Sequence, residues 1–304
     1  MKKAAVCLGV LSAMLSPVLG QVRVELAFQQ DEFLPGESVT VTVRVINHSG
    51  QTLHLGTTPD WLSFEIERQP EGIVPAQGNA PVLGAFDLQS SKVAIKRVDL
   101  APYFALTDIG RYRVTAIVKI PSWGVQVVSP PQMFAIIRGA KLWEQTFGVP
   151  PARGAKPGPP EVRKYILQEA NYLRGELRLY MRVTDEYGAR VFRVVNIGRM
   201  LSFSQPEAQV DANSDLHVLY QDGPRSFSYT VFTPNGKMIL RQTYGYIGDR
   251  PHLSISAESK IAVAGGLRVR TDTDLPAPKS AAAAPDIPPL MPPPGFPSAR
   301  TSNP

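Results

Sequence analysis

Residues 33–50 read Phe-Leu-Pro-Gly-Glu-Ser-Val-Thr-Val-Thr-Val-Arg-Val-Ile-Asn-His-Ser-Gly, and this stretch decides the fold of the first half of the chain. From Val39 to Val45 every second residue is a valine, with threonine or arginine between them. Such a period of two is typical of a β-strand that has one buried and one solvated face. Pro35-Gly36 before the run and Ser49-Gly50 after it are turn signals. The stretch therefore predicts one strand between two turns.

The same alternation extends on both sides of this strand. Residues 22–28 alternate in the same way, and further strands are predicted at residues 62–67, 92–100, 111–120, 124–128 and 133–137. Seven short strands separated by turn residues are typical of an antiparallel β-sandwich. The predicted sandwich domain spans residues 21–147. Residues 139–147 in this range predict either one short helical turn or an extended lead-out.

One motif near the end of this region points to a particular kind of sandwich. Asp108, Gly110 and Tyr112 lie in the sequence Asp-Ile-Gly-Arg-Tyr-Arg-Val-Thr-Ala, residues 108–116. It resembles the stretch that opens a late strand in immunoglobulin-like domains, where the tyrosine hydroxyl bonds to nearby backbone as a tyrosine corner. The resemblance implies an immunoglobulin-like fold for about the first 40% of the chain and implies no activity.

Five prolines in residues 148–160 predict a semi-stiff linker, because proline fixes φ and favours extended backbone before it. Residues 161–270 return to strand patterns, and Asn235-Gly236 is a strong hairpin signal. They also contain a weak repeat, because residues 206–218 align with residues 251–263 at an offset of 45. The predicted second domain is an antiparallel β-meander.

The repeat length resembles that of β-propeller blades, each of which holds four strands. The region is long enough for only about two and a half such units, and a closed propeller has at least four. The favoured interpretation is a twisted meander packed on the first domain. The alternative is a propeller fragment that another chain completes.

The first twenty residues predict export. Lys2 and Lys3 precede an apolar stretch from Ala4 to Leu15, and small residues follow up to Gly20, which is the pattern of a cleaved signal peptide. Cleavage would remove Cys7, which is the single cysteine, and would exclude disulfides and cysteine-based metal sites. No other stretch is long enough for a membrane span. We expect a periplasmic or extracellular protein.

The last 34 residues, 271–304, contain ten prolines and four consecutive alanines, and they predict a disordered, extended tail. The whole arrangement resembles that of exported bacterial proteins with an N-terminal immunoglobulin-like sandwich and a C-terminal β-repeat region. That resemblance implies an architecture and no activity.

Charge is unevenly distributed along the chain. Residues 22–137 carry nine basic and eleven acidic side chains, whereas residues 138–199 carry twelve and six. The predicted strands of the second region place several arginines on one basic face that could bind an anionic polymer or an acidic protein: Arg174, Arg178, Arg182, Arg190 and Arg193. A solvated strand face that limits edge pairing explains the same residues. Nucleic acid is not expected, because no aromatic-basic recognition motif accompanies the patch.

Catalytic and metal motifs are weak. The sequence has no nucleophile elbow, phosphate-binding loop or zinc-binding histidine pair, and it predicts no cofactor. Asp211, Asn213 and Asp215 have the spacing of a calcium loop, and Asp222 stands at the twelfth position, where such a loop has an acid. Leu216, however, stands where that loop needs glycine. Turns rich in aspartate and asparagine between two strands explain the same residues, and this interpretation is favoured over a metal site.

These observations favour an exported, non-enzymatic binding or structural protein that engages its partner through immunoglobulin-like loops, an edge strand or the arginine face. One alternative is a proteinase inhibitor, with the loop at residues 70–81 as its reactive segment. The other is a hydrolase or carbohydrate-binding module built on the repeat region, which would require acids converging in one cleft.

Overall fold

In the computed structural model, the residues described are 21–151, except 79, 81 and 83, and 161–276, except 173, 174 and 257–259. They form six β-sheets and one short 3-10 turn at Pro121–Trp123. The predicted all-β class is confirmed. No helix in this part of the chain is long and apolar enough to cross a membrane. The predicted signal segment and most of the predicted linker and tail lie outside the described residues.

The first module is an immunoglobulin-like sandwich. One sheet has the strand order β1-β3-β8, and the facing sheet has the order β2-β11-β9-β5-β6, with β10 also paired to β9. A two-stranded sheet of β4 and β7 lies beside them. The strands are β1 (Val22–Phe28), β2 (Glu32–Phe33), β3 (Thr40–Asn47), β4 (Leu53–Leu55), β5 (Leu62–Gln69), β6 (Gly72–Ile73), β7 (Phe86–Leu88), β8 (Val93–Asp99), β9 (Gly110–Ile120), β10 (Val125–Val128) and β11 (Gln132–Ile136).

Alternation explains how these strands form one core. The valines at 39, 41, 43 and 45 are fully buried, and they belong to the same apolar core as the buried residues of β9. Trp61 is fully buried in the same core, and its indole N–H donates to the carbonyl of Val82 at 2.8 Å. The Tyr112 hydroxyl donates to the carbonyl of Asp108 at 2.7 Å, which is the bond of a tyrosine corner.

The second module consists of stacked antiparallel meanders. The first sheet has the order β12-β13-β14-β15, the second has the order β16-β17-β18-β19-β22, and β20 pairs with β21 alone. The strands are β12 (Ala140–Gly148), β13 (Val162–Tyr172), β14 (Glu176–Asp185), β15 (Val191–Arg199), β16 (Glu207–Val210), β17 (Leu216–Gly223), β18 (Ser226–Phe232), β19 (Met238–Gly245), β20 (His252–Ile255), β21 (Ile261–Ala264) and β22 (Leu267–Val269).

The predicted module boundaries shift at both ends. Residues 140–148 form β12, which pairs with β13, so they belong to the second module although the sequence assigned most of them to the sandwich. Their apolar residues do not alternate strictly, which hid the strand. At the other end, Leu275 exchanges two backbone hydrogen bonds with Arg241, at 2.9 and 3.0 Å. The second module therefore extends to residue 276, beyond the predicted end at 270.

Two apolar layers hold the meanders together. The inner faces of the first two sheets share a core that includes Tyr165, Leu179, Val218 and Phe232. The opposite face of the second sheet packs against β20 and β21 through Leu219, Phe227, Tyr229, Val231 and Leu253. The second sheet is therefore covered on both sides.

The turn between β2 and β3 of the sandwich packs on the outer face of the first meander. Leu34 is buried against Ala170, Tyr180 and Val194, and the Arg182 guanidinium donates to the carbonyl of Pro35. The sandwich thus covers one end of the stack, and the β20–β21 pair forms the other end.

Candidate binding site at the open end of the repeat

The 45-residue repeat seen in the sequence is also a repeat of strand pairing. Glu207 lies opposite Leu219 in the β16–β17 hairpin, and His252 lies opposite Ala264 in the β20–β21 hairpin. His252 and Ala264 each lie 45 residues after their counterparts in the first pair, Glu207 and Leu219. The two hairpins therefore have the same register.

The turns of these hairpins are also equivalent. The amide of Asp211 donates to the carbonyl of Asp215 at 3.0 Å, and the amide of Ser256 donates to the carbonyl of Lys260 at 2.9 Å. The Asp211 carboxylate accepts the amide hydrogens of Asn213 and Asp215 at 2.9 and 2.8 Å. The Ser256 hydroxyl accepts that of Lys260 at 3.2 Å. Both side chains therefore close a turn.

This geometry accounts for the three residues with calcium-loop spacing. Burial and the neighbouring Asp211 carboxylate raise the pKa of Asp215, and the second Asp211 oxygen lies 3.4 Å from the imidazole of His217. Asp222, the acid expected to complete the loop, accepts a bond from Ser228 instead. The described ranges contain no group of three or more histidine, cysteine or acidic side chains placed to hold a metal.

The two repeats diverge after their second strand. β17 continues into the hairpin with β18, whereas β21 is followed by Gly265 and Gly266. Both glycines have positive φ, at 73° and 66°, a backbone region that disfavours other residues. A Cβ on Gly266 would lie 2.8 Å from the carbonyl of Gly245. This turn directs the chain into β22, which pairs with β19.

As a result, β21 keeps a free edge. Among the described strands it pairs only with β20. Backbone groups in an antiparallel pair alternate between facing the partner and facing away. The Ser256 amide donates to the Lys260 carbonyl, so Ser256 and Lys260 are a hydrogen-bonded pair. The register places Ile261 and Val263 one and three residues further along, in non-hydrogen-bonded pairs, so their amide and carbonyl groups face away from β20. In the preceding repeat their equivalents, Leu216 and Val218, lie opposite Phe232 and Thr230 of β18.

Packing against the second meander positions the free edge. Leu253 is buried, and its amide donates to the Glu207 carboxylate at 2.7 Å. Val263 packs with it against the same layer, whereas Ala262 lies on the opposite, exposed face. The edge therefore belongs to a strand with one anchored face and one accessible face.

The structure describes four of the five arginines predicted as one basic face, and these four do not lie on one exposed face. Arg178 and Arg182 share a face of β14, but that face is covered by the sandwich turn. Arg182 donates to Pro35, and Arg178 lies 3.7 Å from the Glu176 carboxylate. Alternation within the strand was predicted correctly; the covering of its face by the other module is a long-range contact that the pattern does not contain.

The remaining arginines lie elsewhere. Arg193 is paired with Val183, and paired residues share one face of a sheet. Arg193 therefore lies on the face opposite Arg178 and Arg182, where its side chain is beside Gly236. Arg190 precedes β15 and stacks on the ring of Phe192, with 4.8 Å between guanidinium and ring centre. Arg174 lies outside the described residues. A bulge between Val183 and Thr184 contributes to this arrangement by shifting the register of β15.

Glu37 is a buried acid at the junction of the two modules, and its burial disfavours the charged form of its carboxyl group. Burial raises the pKa of Glu37, although its carboxylate accepts bonds from the Leu34 amide at 2.8 Å and from Gln30 at 2.7 Å. The folded protein therefore holds the Glu37 proton more tightly than the unfolded chain does. Its stabilising contribution is fully present below pH 4.5, the ordinary pKa, and is lost as the pH rises through the raised value.

We expect Glu37→Gln to remove this loss of stability. The difference in unfolding free energy between Glu37→Gln and the parent protein should increase in favour of the variant as the pH rises from 4 to 7. Chemical denaturation across this range measures it, with the exposed Glu71→Gln as the control. A difference that stays constant with pH would show that Glu37 titrates alike in both states.

Sequence reasoning missed the residues that create the free edge. Gly265-Gly266 is a turn signal directly after a strand, and the repeat aligns it with Tyr220-Gln221 in the middle of β17. This mismatch marks the point where the second copy of the repeat departs from the first.

Comparisons with known proteins leave the function open. No family model matches the sequence, and no curated protein matches it. Among solved structures, the chain is similar to Spo0M, a sporulation control protein from Bacillus subtilis. The similarity covers 60% of this chain and 90% of Spo0M, with 11% sequence identity and a TM-score of 0.29. A similarity at this level supports no argument about function.

Proposed function

We propose that this is an exported, non-enzymatic binding protein that takes up an extended segment of a partner protein along the free edge of β21. The observation that carries the proposal is the second copy of the repeat, in which the β20–β21 hairpin reproduces the β16–β17 hairpin of the first copy. Among the described strands, none pairs with β21 in the way that β18 pairs with β17. Strand addition uses main-chain hydrogen bonds for affinity and side-chain pockets for specificity.

The chemistry of the edge indicates the kind of segment it would accept. The outward backbone groups of Ile261 and Val263 are paired by no other described strand, and their side chains face the apolar layer on the second meander. A partner strand with alternating apolar residues would continue that layer while its other face stayed in solvent. Export is proposed from the sequence of residues 1–20, and the partner would then be an envelope or secreted protein.

Proline substitution tests the edge directly. Val263→Pro removes the outward amide but no bond to β20, because the Val263 amide faces away from β20. Proline is tolerated at such positions of edge strands. Val263→Ala is the matched control, since it shortens the same side chain but keeps the amide. We expect strand addition to survive Val263→Ala and to fall about tenfold in Val263→Pro, through the lost hydrogen bond and the bulk of the ring.

The readout is photocrosslinking from the exposed Ala262 position, with a benzoylphenylalanine probe in the full chain expressed in its native cells. A discrete adduct that persists in Val263→Ala and falls about tenfold in Val263→Pro supports the proposal. A probe at the exposed Arg97 of β8 controls for non-specific capture. Equal adduct in both variants, or an adduct of two copies of this chain, would contradict it.

A second candidate, proteinase inhibition, has one observation in its favour. The predicted reactive loop exposes Ile73, of which 80% is accessible, while the Val74 and Gln77 amides donate to Ile66 and Tyr103 at 2.8 Å each. An exposed side chain on an anchored loop is what an inhibitor presents to a proteinase. Titration against serine and cysteine proteinases tests it, with Ile73→Ala expected to lose inhibition and Ile109→Ala to keep it. Absence of inhibition throughout would remove this candidate.

A further inference from the structure

A second, polar site lies between the meanders and is separate from the free edge. One cleft of about 400 Å³ is lined by Arg199, Tyr220, Asp222, Ser228 and Arg241. A second cleft of about 280 Å³ is lined by Arg241, Arg268, Arg270 and Asp274. The two clefts share Arg241, and the segment after β22 lines both, with Thr273 at the first and Asp274 at the second.

The arginines in these clefts have two different roles. Arg241 donates to the carbonyl of Ile197, and Arg268 donates to the Asp274 carboxylate at 2.6 Å, so both hold the structure together. Arg199 and Arg270 are exposed, and neither has an ion pair or hydrogen bond with the residues that the structure describes. One free guanidinium therefore stands at each cleft.

The first cleft also contains an acceptor without a donor. One Asp222 oxygen accepts the Ser228 hydroxyl at 2.5 Å, whereas the other is shielded from solvent and has no partner within the described ranges. A buried oxygen of this kind is costly unless a donor reaches it. Ser226, Ser228 and Thr273 also line this cleft, and each has a hydroxyl group that can donate or accept a hydrogen bond.

These groups together define the ligand class. Guanidinium groups donate only and bind carboxylate or sulfate oxygens, whereas Asp222 requires a donor such as a sugar hydroxyl. A simple anion would meet Arg199 but would be repelled by Asp222. We infer that the paired clefts bind an acidic saccharide, with ring hydroxyls toward Asp222 and Ser228 and anionic groups on Arg199 and Arg270. The site is independent of the β21 edge.

Calorimetric titration of the full chain tests this inference. The probes are trigalacturonate, a sulfated chondroitin tetrasaccharide, neutral maltotriose and a twelve-nucleotide single-stranded DNA. We expect an acidic saccharide to bind and maltotriose and DNA not to bind. The carboxylated and sulfated probes distinguish which anionic group the clefts prefer.

Variants locate the binding. Arg199→Gln and Arg270→Gln should each lower the affinity about tenfold or more, because each removes a charge-assisted bond. Ser228→Ala removes a neutral hydroxyl from the same cleft, so it should also lower the affinity while leaving its salt dependence unchanged. Arg97→Gln in the sandwich removes the same charge and should have no effect. Thermal unfolding checks that all variants fold.

Three results would overturn the inference. They are failure of both acidic saccharides to bind, an equal loss in Arg97→Gln, and tighter binding of the DNA than of either saccharide. None of them affects the crosslinking result at Ala262, so the two proposals fail separately.

Discussion

Trp61→Ala is expected to lower the free energy of unfolding of the sandwich by about 3–5 kcal/mol, the usual cost of truncating a large buried aromatic side chain. Trp61 is fully buried, and its ring meets Phe86 edge-on at 5.5 Å. The substitution leaves a cavity between the sheets and also leaves the Val82 carbonyl without its indole donor.

Trp61→Phe separates these two causes, because it keeps much of the ring volume and loses the indole N–H. We expect it to lose less stability than Trp61→Ala. Guanidinium denaturation followed by circular dichroism measures both variants. Equal losses would assign the stability to the hydrogen bond, and a loss below 1 kcal/mol in Trp61→Ala would contradict the buried position.

Leu34→Ala is expected to weaken the packing between the two modules and to lower the free energy of unfolding by about 2–5 kcal/mol, the usual cost for a buried leucine. Leu34 is 1% exposed and packs on Tyr180 and Val194 of the other module. Because the junction couples the modules, we expect the variant to unfold in two separate thermal transitions where the parent protein unfolds in one.

Differential scanning calorimetry resolves these transitions. The matched control is Ile73→Ala, which removes an exposed aliphatic side chain from the same module. A single transition in Leu34→Ala, at the temperature of the parent protein, would show that the turn does not hold the modules together.

Local sequence patterns predict much of the fold. Alternation in β1 and β3 predicts strands because each has one buried face. Asn235-Gly236 predicts a hairpin because the turn needs positive φ, which is 72° at Gly236. These signals are contained within ten residues. The repeat at an offset of 45 likewise follows from equivalent side chains in equivalent hairpins.

Long-range contacts set the limits of that prediction. The face of Arg178 and Arg182 looks solvated in the sequence, yet it is covered by residues about 145 positions earlier; Arg182 and Pro35 are 147 apart. The free edge of β21 follows from the pairing of β22 with β19, which no local pattern records. The clefts at Arg241 likewise depend on a backbone pairing with Leu275.

The most direct test of the central claim is amide hydrogen exchange, resolved by residue, in the purified monomer. The account predicts that the amides of Ile261 and Val263 exchange much faster than those of Leu216 and Val218, since only the latter two face a neighbouring strand. Equally slow exchange at all four positions would show that the edge of β21 is already paired, and it would contradict the proposal that this edge receives a partner strand.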